Sequence, residues 1–365
     1  PGNIMTQQGA VSAKTFYVAA AVCFAATLAL YFLSYGRVLA IPACLGFIGL
    51  SMAFKRSGTM GSLSFSMLIF AAVSITLAFP EYFTHIGNFN TKDLITPLIQ
   101  VIMFGMGTEI GLRDFKLVAE RPKAVLIGLI GHYTFMPLMG FLLAKLFGFE
   151  PEVAAGVVLI GSMPCGAASN VMSYLAKANL ALSITLTTVS TLLATFLTPF
   201  WMKVLGGQFV EVNAYDMFMK IIQIVIVPIG AGLLANRFIL RHNDSFRKYM
   251  PLISMFGIVA IIAVITAMGS KSLLTIGPLL VLVSFLHNVS GLGFGYWAGK
   301  IFGLSERDRR TIAIEVGMQN GGLASALAEK LGKAATMGLA PAVFGPFMNI
   351  TGSVLASFWH KRDPE

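Results

Sequence analysis

Charge is scarce in this chain. Asp, Glu, Lys and Arg make up 12% of its 365 residues, while 56% are hydrophobic. A soluble globular domain carries about 25% charged residues, so an ordinary soluble fold has too little here to cover its surface. Cysteine is scarce too. Cys23, Cys44 and Cys165 each lie in an apolar stretch, which excludes a disulfide framework and any cysteine-based metal spacing. The net charge of +10 raises the possibility of a nucleic-acid partner. The Lys and Arg residues instead fall in short breaks between apolar runs, the pattern of solvated loops in a membrane protein. Pro1-Gly2 reads as the remnant of a cleaved tag and carries no structural weight.

What the chain does have is long apolar runs. Twelve are readable, at 15–33, 38–54, 62–83, 93–111, 124–147, 152–175, 180–205, 217–234, 252–268, 273–297, 311–328 and 335–358. Most come near the roughly 20 residues that a helix needs to cross hydrocarbon. Twelve crossings put both termini on one side. Assigning alternate loops to opposite sides then places 18 of the 26 basic residues on one side, which the positive-inside rule makes cytoplasmic. The chain divides into a tail at 1–14, an extra transmembrane hairpin at 15–56, a first five-helix repeat at 62–206, a second at 213–358 and a cytoplasmic tail at 359–365. An odd number of crossings per repeat inverts the second against the first, a plan found in many secondary transporters. The reading is of a multi-pass, all-α membrane protein, and of a carrier rather than an enzyme.

Two motifs occupy the fourth position of each repeat. GSMPCGAASN, Gly161 to Asn170, places Pro164 between Gly161 and Gly166; proline cannot continue a helical ladder. EVGMQNGG, Glu315 to Gly322, places a carboxylate, a glutamine and an asparagine among the glycines Gly317 and Gly321. Both read as broken membrane helices, since open backbone at that depth must line a protein cavity. An acid deep in an apolar span is a functional residue by default. Glu315 reads as a cation ligand or a proton carrier, against the plainer alternative of a structural carboxylate satisfied by hydroxyls. Gln319 adds a carbonyl oxygen, and a break frees main-chain oxygens from Val316 to Met318; hard cations take oxygen ligands. Ser169 and Asn170 follow the first break. Ser183 and Thr187 are four apart and share a helix face, although hydroxyls in membrane helices often bond only their own backbone. His132 and His287 lie in the third segment of each repeat, and a lone buried cysteine such as Cys165 is usually inert.

The stretches GSMPCGAASNVMSYLAKANLALSITLTTVST (Gly161 to Thr191), SFLHNVSG (Ser284 to Gly291) and AIEVGMQNGGLA (Ala313 to Ala324) resemble the bile acid:sodium symporter family, in its bacterial branch. The resemblance covers roughly residues 62–358. It implies a ten-helix 5+5 inverted-repeat fold in a panel and a core domain, with crossing discontinuous helices, plus the extra N-terminal hairpin. It also implies two sodium ions as coupling ions. The first falls on Ser169, Asn170, Ser183, Thr187 and Glu315. The second falls on Glu315, Val316, Met318, Gln319 and His132. The family has a glutamine where His132 stands, and an imidazole is a poorer sodium ligand than an amide oxygen. The family also has a threonine where Ala167 stands; Ala167 and Asn320 are the implied substrate contacts.

The sequence therefore predicts sodium-coupled import of an organic anion, a bile acid or a small carboxylate such as pantoate, by alternating access. Its partners are substrate, sodium and the lipid bilayer, with no nucleic acid, no cofactor and no obligate protein partner. The alternatives are a proton-coupled carrier using Glu315 and His132, a sodium-independent exporter of metalloid oxyanions using Cys165, and a membrane sensor that does not transport.

Overall fold

The computed structural model describes residues 12–57, 63–110, 118–240 and 244–364. Expectations for the tail at 1–11, for Ser62, Gly111, Arg113, Lys116 and Arg241, and for the side chains of Arg247 and Lys248, lie outside the described residues. Among the described residues the regular structure is helical apart from one small hairpin in which His85–Ile86 pairs antiparallel with Phe89–Asn90. We number the main helices α1 (Ala13–Phe32), α2 (Ala40–Arg56), α3 (Leu63–Ala78), α4 (Ile95–Glu109), α5 (Pro122–Phe147), α6 (Pro151–Gly161), α7 (Ala168–Leu175), α8 (Leu180–Val204), α9 (Ala214–Phe238), α10 (Asp244–Met268), α11 (Ser270–Ile301), α12 (Glu306–Gly317), α13 (Gly321–Lys330) and α14 (Leu339–His360).

Among the described residues seven helices are long and apolar enough to cross a membrane: α1, α2 with its short 3-10 lead-in, α5, α8, α9, α11 and α14. The protein is an all-α, multi-pass membrane protein with several bent or discontinuous helices. The apolar runs are not all uninterrupted spans. The run at 152–175 is split into α6 and α7, and the run at 311–328 falls within α12 and α13. The run at 62–83 is shorter as a helix than its hydropathy suggests. α3 stops at Ala78, and Pro80 starts a separate single turn, Glu81–Thr84.

Local chemistry accounts for most boundaries. Side-chain oxygens of Asn179, Asn213, Ser305 and Asn320 accept the first free N–H groups of α8, α9, α12 and α13 at 3.0–3.2 Å, as helix starts require. α5 runs on through His132 and Pro137. A π turn spans Gly131–Phe135, and the matching turn Ile222–Ile226 in α9 precedes Pro228 in the same way. In both helices the proline lacks the N–H that the carbonyl one turn earlier would use, and a wider turn absorbs the mismatch.

Helices approach closely where both lack side chains. At the crossing of α4 and α9 a Cβ on Gly107 would sit 2.2 Å from the Ile229 carbonyl oxygen, and one on Gly232 would sit 2.1 Å from that of Phe104. The α1–α2 hairpin joins the body through α3. Phe24, Phe47, Phe70 and Phe347 form a ladder of rings with centroids 5.1, 5.6 and 5.9 Å apart.

Polar groups gather at the two ends of α14. At its start, Thr336 and Lys333 bond Glu152 at the head of α6. At its finish, Arg310 donates to the carbonyls of Ala176, Trp359 and Arg362 at 3.0–3.2 Å, while Lys177 pairs with Asp363 at 2.6 Å. Arg310 corrects the reading of the basic residues as solvated loop charges. Its side chain is 3% exposed, because three carbonyls and the Glu306 carboxylate satisfy it internally.

Candidate functional site at the paired helix breaks

The two breaks meet. Cys165 and Gln319 form an isolated antiparallel bridge. The Gly166 N–H donates to the Met318 carbonyl at 3.3 Å, and the Asn320 N–H to the Pro164 carbonyl at 2.8 Å. Each break thus supplies hydrogen bonds that the other lost when its helix stopped, as a buried backbone demands. The glycines serve this contact in a way that sequence alone did not indicate. Gly161, Gly166, Gly317 and Gly321 are absent from the positive-φ residues, so left-handed backbone is not their reason. A Cβ on Gly166 would lie 2.9 Å from the Gln319 carbonyl oxygen, and one on Gly161 would lie 2.6 Å from that of Met136. They permit close approach.

Glu315 ends its side chain beside α8 and is 1% exposed. Ser183 Oγ donates to Glu315 Oε1, and Thr187 Oγ1 donates to Oε2 at 3.0 Å. The two hydroxyls are one turn apart, so each takes one carboxylate oxygen. Asn170 Oδ1 lies 2.9 Å from Ser183 Oγ and 3.3 Å from Thr187 Oγ1, and Ser169 Oγ lies 3.3 Å from Thr187 Oγ1. Among the described residues no lysine or arginine forms an ion pair with Glu315.

This cluster is short of hydrogens. Each hydroxyl carries one. Ser183 faces two acceptors, Glu315 Oε1 and Asn170 Oδ1, and Thr187 faces Glu315 Oε2 and the same amide oxygen. Ser169 Oγ donates its hydrogen to the Gly166 carbonyl at 2.8 Å. Oxygen lone pairs therefore outnumber the protons between them, and a buried carboxylate without a counter-charge is unfavourable. A small cation relieves both deficits.

The residues of the other predicted set stand on the far side of the Glu315 backbone. His132 Nδ1 is 3.1 Å from the Glu315 carbonyl oxygen, and its Nε2 is 2.6 Å from that of Met163. Gln319 Nε2 donates to the Val316 carbonyl at 3.1 Å, while Gln319 Oε1 is buried without a partner. Met318 contributes its carbonyl to the bridge between the breaks. Ala167 is exposed at the head of α7. Asn320 is 9% exposed and uses Oδ1 to cap α13.

Three neighbours were not singled out for this site. The Cys165 thiol reaches the Glu315 carbonyl at 3.3 Å and His132 Nδ1 at 3.5 Å. Asn288 Nδ2 caps the broken end of α12 by donating to the Gly317 carbonyl at 2.8 Å, and Thr351 holds the Asn288 oxygen. Tyr133 Oη donates to the Ser190 carbonyl at 2.5 Å, tying α5 to α8. An asparagine beside a histidine in an apolar span was the available signal; its target carbonyl lies 29 residues away.

Comparison with known proteins places this arrangement. Residues 96–276 match the pattern of the Sodium Bile acid symporter family. The uncharacterized sodium-dependent transporter YocS of Bacillus subtilis is 38% identical over 297 residues, covering 81% of this chain and 90% of that protein. The probable sodium/metabolite cotransporter BASS1, chloroplastic, of Arabidopsis thaliana is 33% identical over 278 residues, covering 76% of this chain and 69% of that protein. The rice cotransporter BASS2, chloroplastic, is also 33% identical, over 270 residues, covering 74% and 64%. The paired breaks and the Glu315 cluster are thus carried by a chain that belongs to the bile acid:sodium symporter family, a family of secondary transporters and not of enzymes.

Proposed function

We propose that the protein imports an organic anion together with sodium across a bacterial cell membrane by alternating access. One observation carries the reading. Four oxygen-bearing side chains from two helices, Ser169, Asn170, Ser183 and Thr187, converge on the buried Glu315 carboxylate with no basic partner and too few hydrogens. Sodium suits an all-oxygen cage, and relatives named as sodium-dependent support the choice. Bound sodium neutralises Glu315 and joins α7, α8 and α12. That favours one arrangement of the core and, by linkage, substrate binding.

The proposal extends to architecture. Residues 62–206 and 213–358 act as inverted five-helix repeats, with residues 15–56 added in front and both termini cytoplasmic. The helix breaks at the fourth position of each repeat, between α6 and α7 and between α12 and α13, support this pairing.

The substrate sits where the N-terminal ends of α7 and α13 meet, since helix N-termini favour anions. Ala167, Val171 and Tyr174 present an exposed, largely apolar face of α7 there, which suits an anion with an apolar body such as a bile acid or a pantoate-like carboxylate. Asn320 Nδ2 remains free to donate, because Oδ1 is committed to the helix cap.

Two rivals lose support from the same geometry. His132 meets the Glu315 backbone and not its carboxylate, so no direct proton relay joins them. Cys165 is 1% exposed, so its sulfur is closed to a metalloid in this conformation. The test is uptake of a panel of organic anions into proteoliposomes with and without an inward sodium gradient, for the wild type and Glu315→Ala. Gradient-driven accumulation lost in the variant supports the proposal; accumulation that ignores sodium and follows a pH gradient overturns it.

A further inference from the structure

The two candidate ion sets differ in their supply of hydrogen-bond donors. Around the Glu315 carboxylate the donors are hydroxyls, which rotate a hydrogen away and offer a lone pair to an ion. The carbonyls of the other set are already engaged. Val316 accepts from Gln319 Nε2 at 3.1 Å, Met318 from the Gly166 N–H at 3.3 Å, and Glu315 from the Cys165 thiol at 3.3 Å, with His132 Nδ1 at 3.1 Å from the same oxygen.

His132 cannot step aside to make room. Its ring is 1% exposed, projects from the π turn of α5 and is held at its second nitrogen by Met163 at 2.6 Å. Gly131 beside it would bring a Cβ to 3.0 Å from the Phe294 ring and 3.2 Å from Val316, so the turn is closely packed. Gln319 Oε1 is the one side-chain oxygen of the set left without a partner, and His132 presents ring nitrogens where a hard cation would take a further oxygen.

We propose that the carrier takes one sodium ion per cycle, in the Glu315 cage, and that the His132 imidazole stands in place of a second ion. A cation bridging these carbonyls would tie one break to the other. The imidazole ring fills that space already, with Nε2 2.6 Å from the Met163 carbonyl oxygen of the first break and Nδ1 3.1 Å from that of Glu315 on the helix that leads into the second, and as a neutral ring it donates to one of the two. His132 is therefore a positioning residue that sets the coupling ratio. The proposal rests on the sodium-coupled reading above. With one sodium and a monovalent anion the cycle moves no net charge, and the membrane potential adds nothing to uptake.

The test counts ions bound by the purified full chain, using radioactive sodium alone at saturation. One sodium per chain is the expected result, with a sodium dependence of uptake that is hyperbolic. Two per chain in the wild type overturns the proposal while leaving sodium coupling intact. No saturable binding sinks the sodium reading itself and this inference with it. The His132→Gln variant offers an amide oxygen in place of the ring and is expected to raise the count to two and make the dependence sigmoidal. A variant that folds and still binds one sodium removes His132 as the determinant. Should it fail to fold, the wild-type count alone decides the ratio.

Discussion

Cys165 and Gln319 pair across two helix breaks and fix them in register. With backbone joined to backbone at that point, a shift in one broken span is transmitted to the other. Glu315 sits one turn before the bridge and reaches α8 with both carboxylate oxygens engaged. Ion occupancy of the proposed cage would thereby be coupled to the position of the crossing.

Glu315 carries the only formal charge in its cage, so changing it should act on sodium and leave folding largely intact. Glu315→Gln keeps the size and removes the charge. We expect sodium-dependent uptake to fall to background, and the sodium-induced rise in melting temperature expected of the wild type to be absent. A site filled at 100 times its dissociation constant stabilises the native state by about 2.7 kcal/mol, which a thermal-shift assay resolves easily.

Ser183 and Thr187 each hold one oxygen of the same carboxylate. Hydrogen bonds to charged groups contribute about 1.5–3 kcal/mol, so Ser183→Ala or Thr187→Val should each raise the sodium concentration for half-maximal uptake by roughly tenfold or more. The double variant should lose less than the sum, because both hydroxyls bond one carboxylate and would serve one ion in the proposed cage. A double-mutant cycle on sodium affinity measures this.

Gly107 and Gly232 let α4 and α9 touch through their backbones. Backbone atoms cannot rotate away from an added methyl. Gly107→Ala or Gly232→Ala should destabilise the protein by about 1–3 kcal/mol, as overpacking does, and lower the melting temperature in detergent. Gly230→Ala, whose Cβ would meet nothing within 4 Å, is the matched control.

Burial decides the weight of the ion pairs. Arg310 is buried against Glu306 and three carbonyls, and Arg310→Met leaves them unpaired, at about 3–5 kcal/mol for a broken buried pair. The exposed Lys177–Asp363 pair is different. Hydrogen bonding and the nearby Lys177 ammonium hold the Asp363 carboxyl below its ordinary value, so any stabilisation exists at neutral pH and fades as pH falls through the folded-state value. Solvent and salt screen it, and Asp363→Asn should leave the melting temperature unchanged. Parallel melts of the two variants check the contrast.

The acid and its hydroxyls were legible in the sequence for simple reasons. Glu315 is a charge in an apolar run, and Ser183 and Thr187 share a face at a spacing of four. The breaks were legible because Pro164 and the glycines cannot sustain a ladder. That the breaks cross was implied by the family resemblance alone; the backbone bridge between them was not legible, since Cys165 and Gln319 are far apart in the chain. His132 was visible as a polar residue, but its partners are carbonyls 31 and 183 residues away, and carbonyls leave no mark on a sequence. Arg310 was misread for the same reason: charge suggests water, and only the fold shows three carbonyls waiting for it. The end of α3 at Ala78 escaped a hydropathy reading because Phe79, Tyr82 and Phe83 carry the apolar pattern past Pro80.

Sodium-gradient uptake is the most direct test of the central claim that the Glu315 cage is a coupling site. Proteoliposomes containing the full chain should accumulate an organic anion when sodium is imposed outside, and stop when choline replaces it or when Glu315→Gln replaces the wild type. Equal accumulation with and without sodium by wild-type protein would contradict the account.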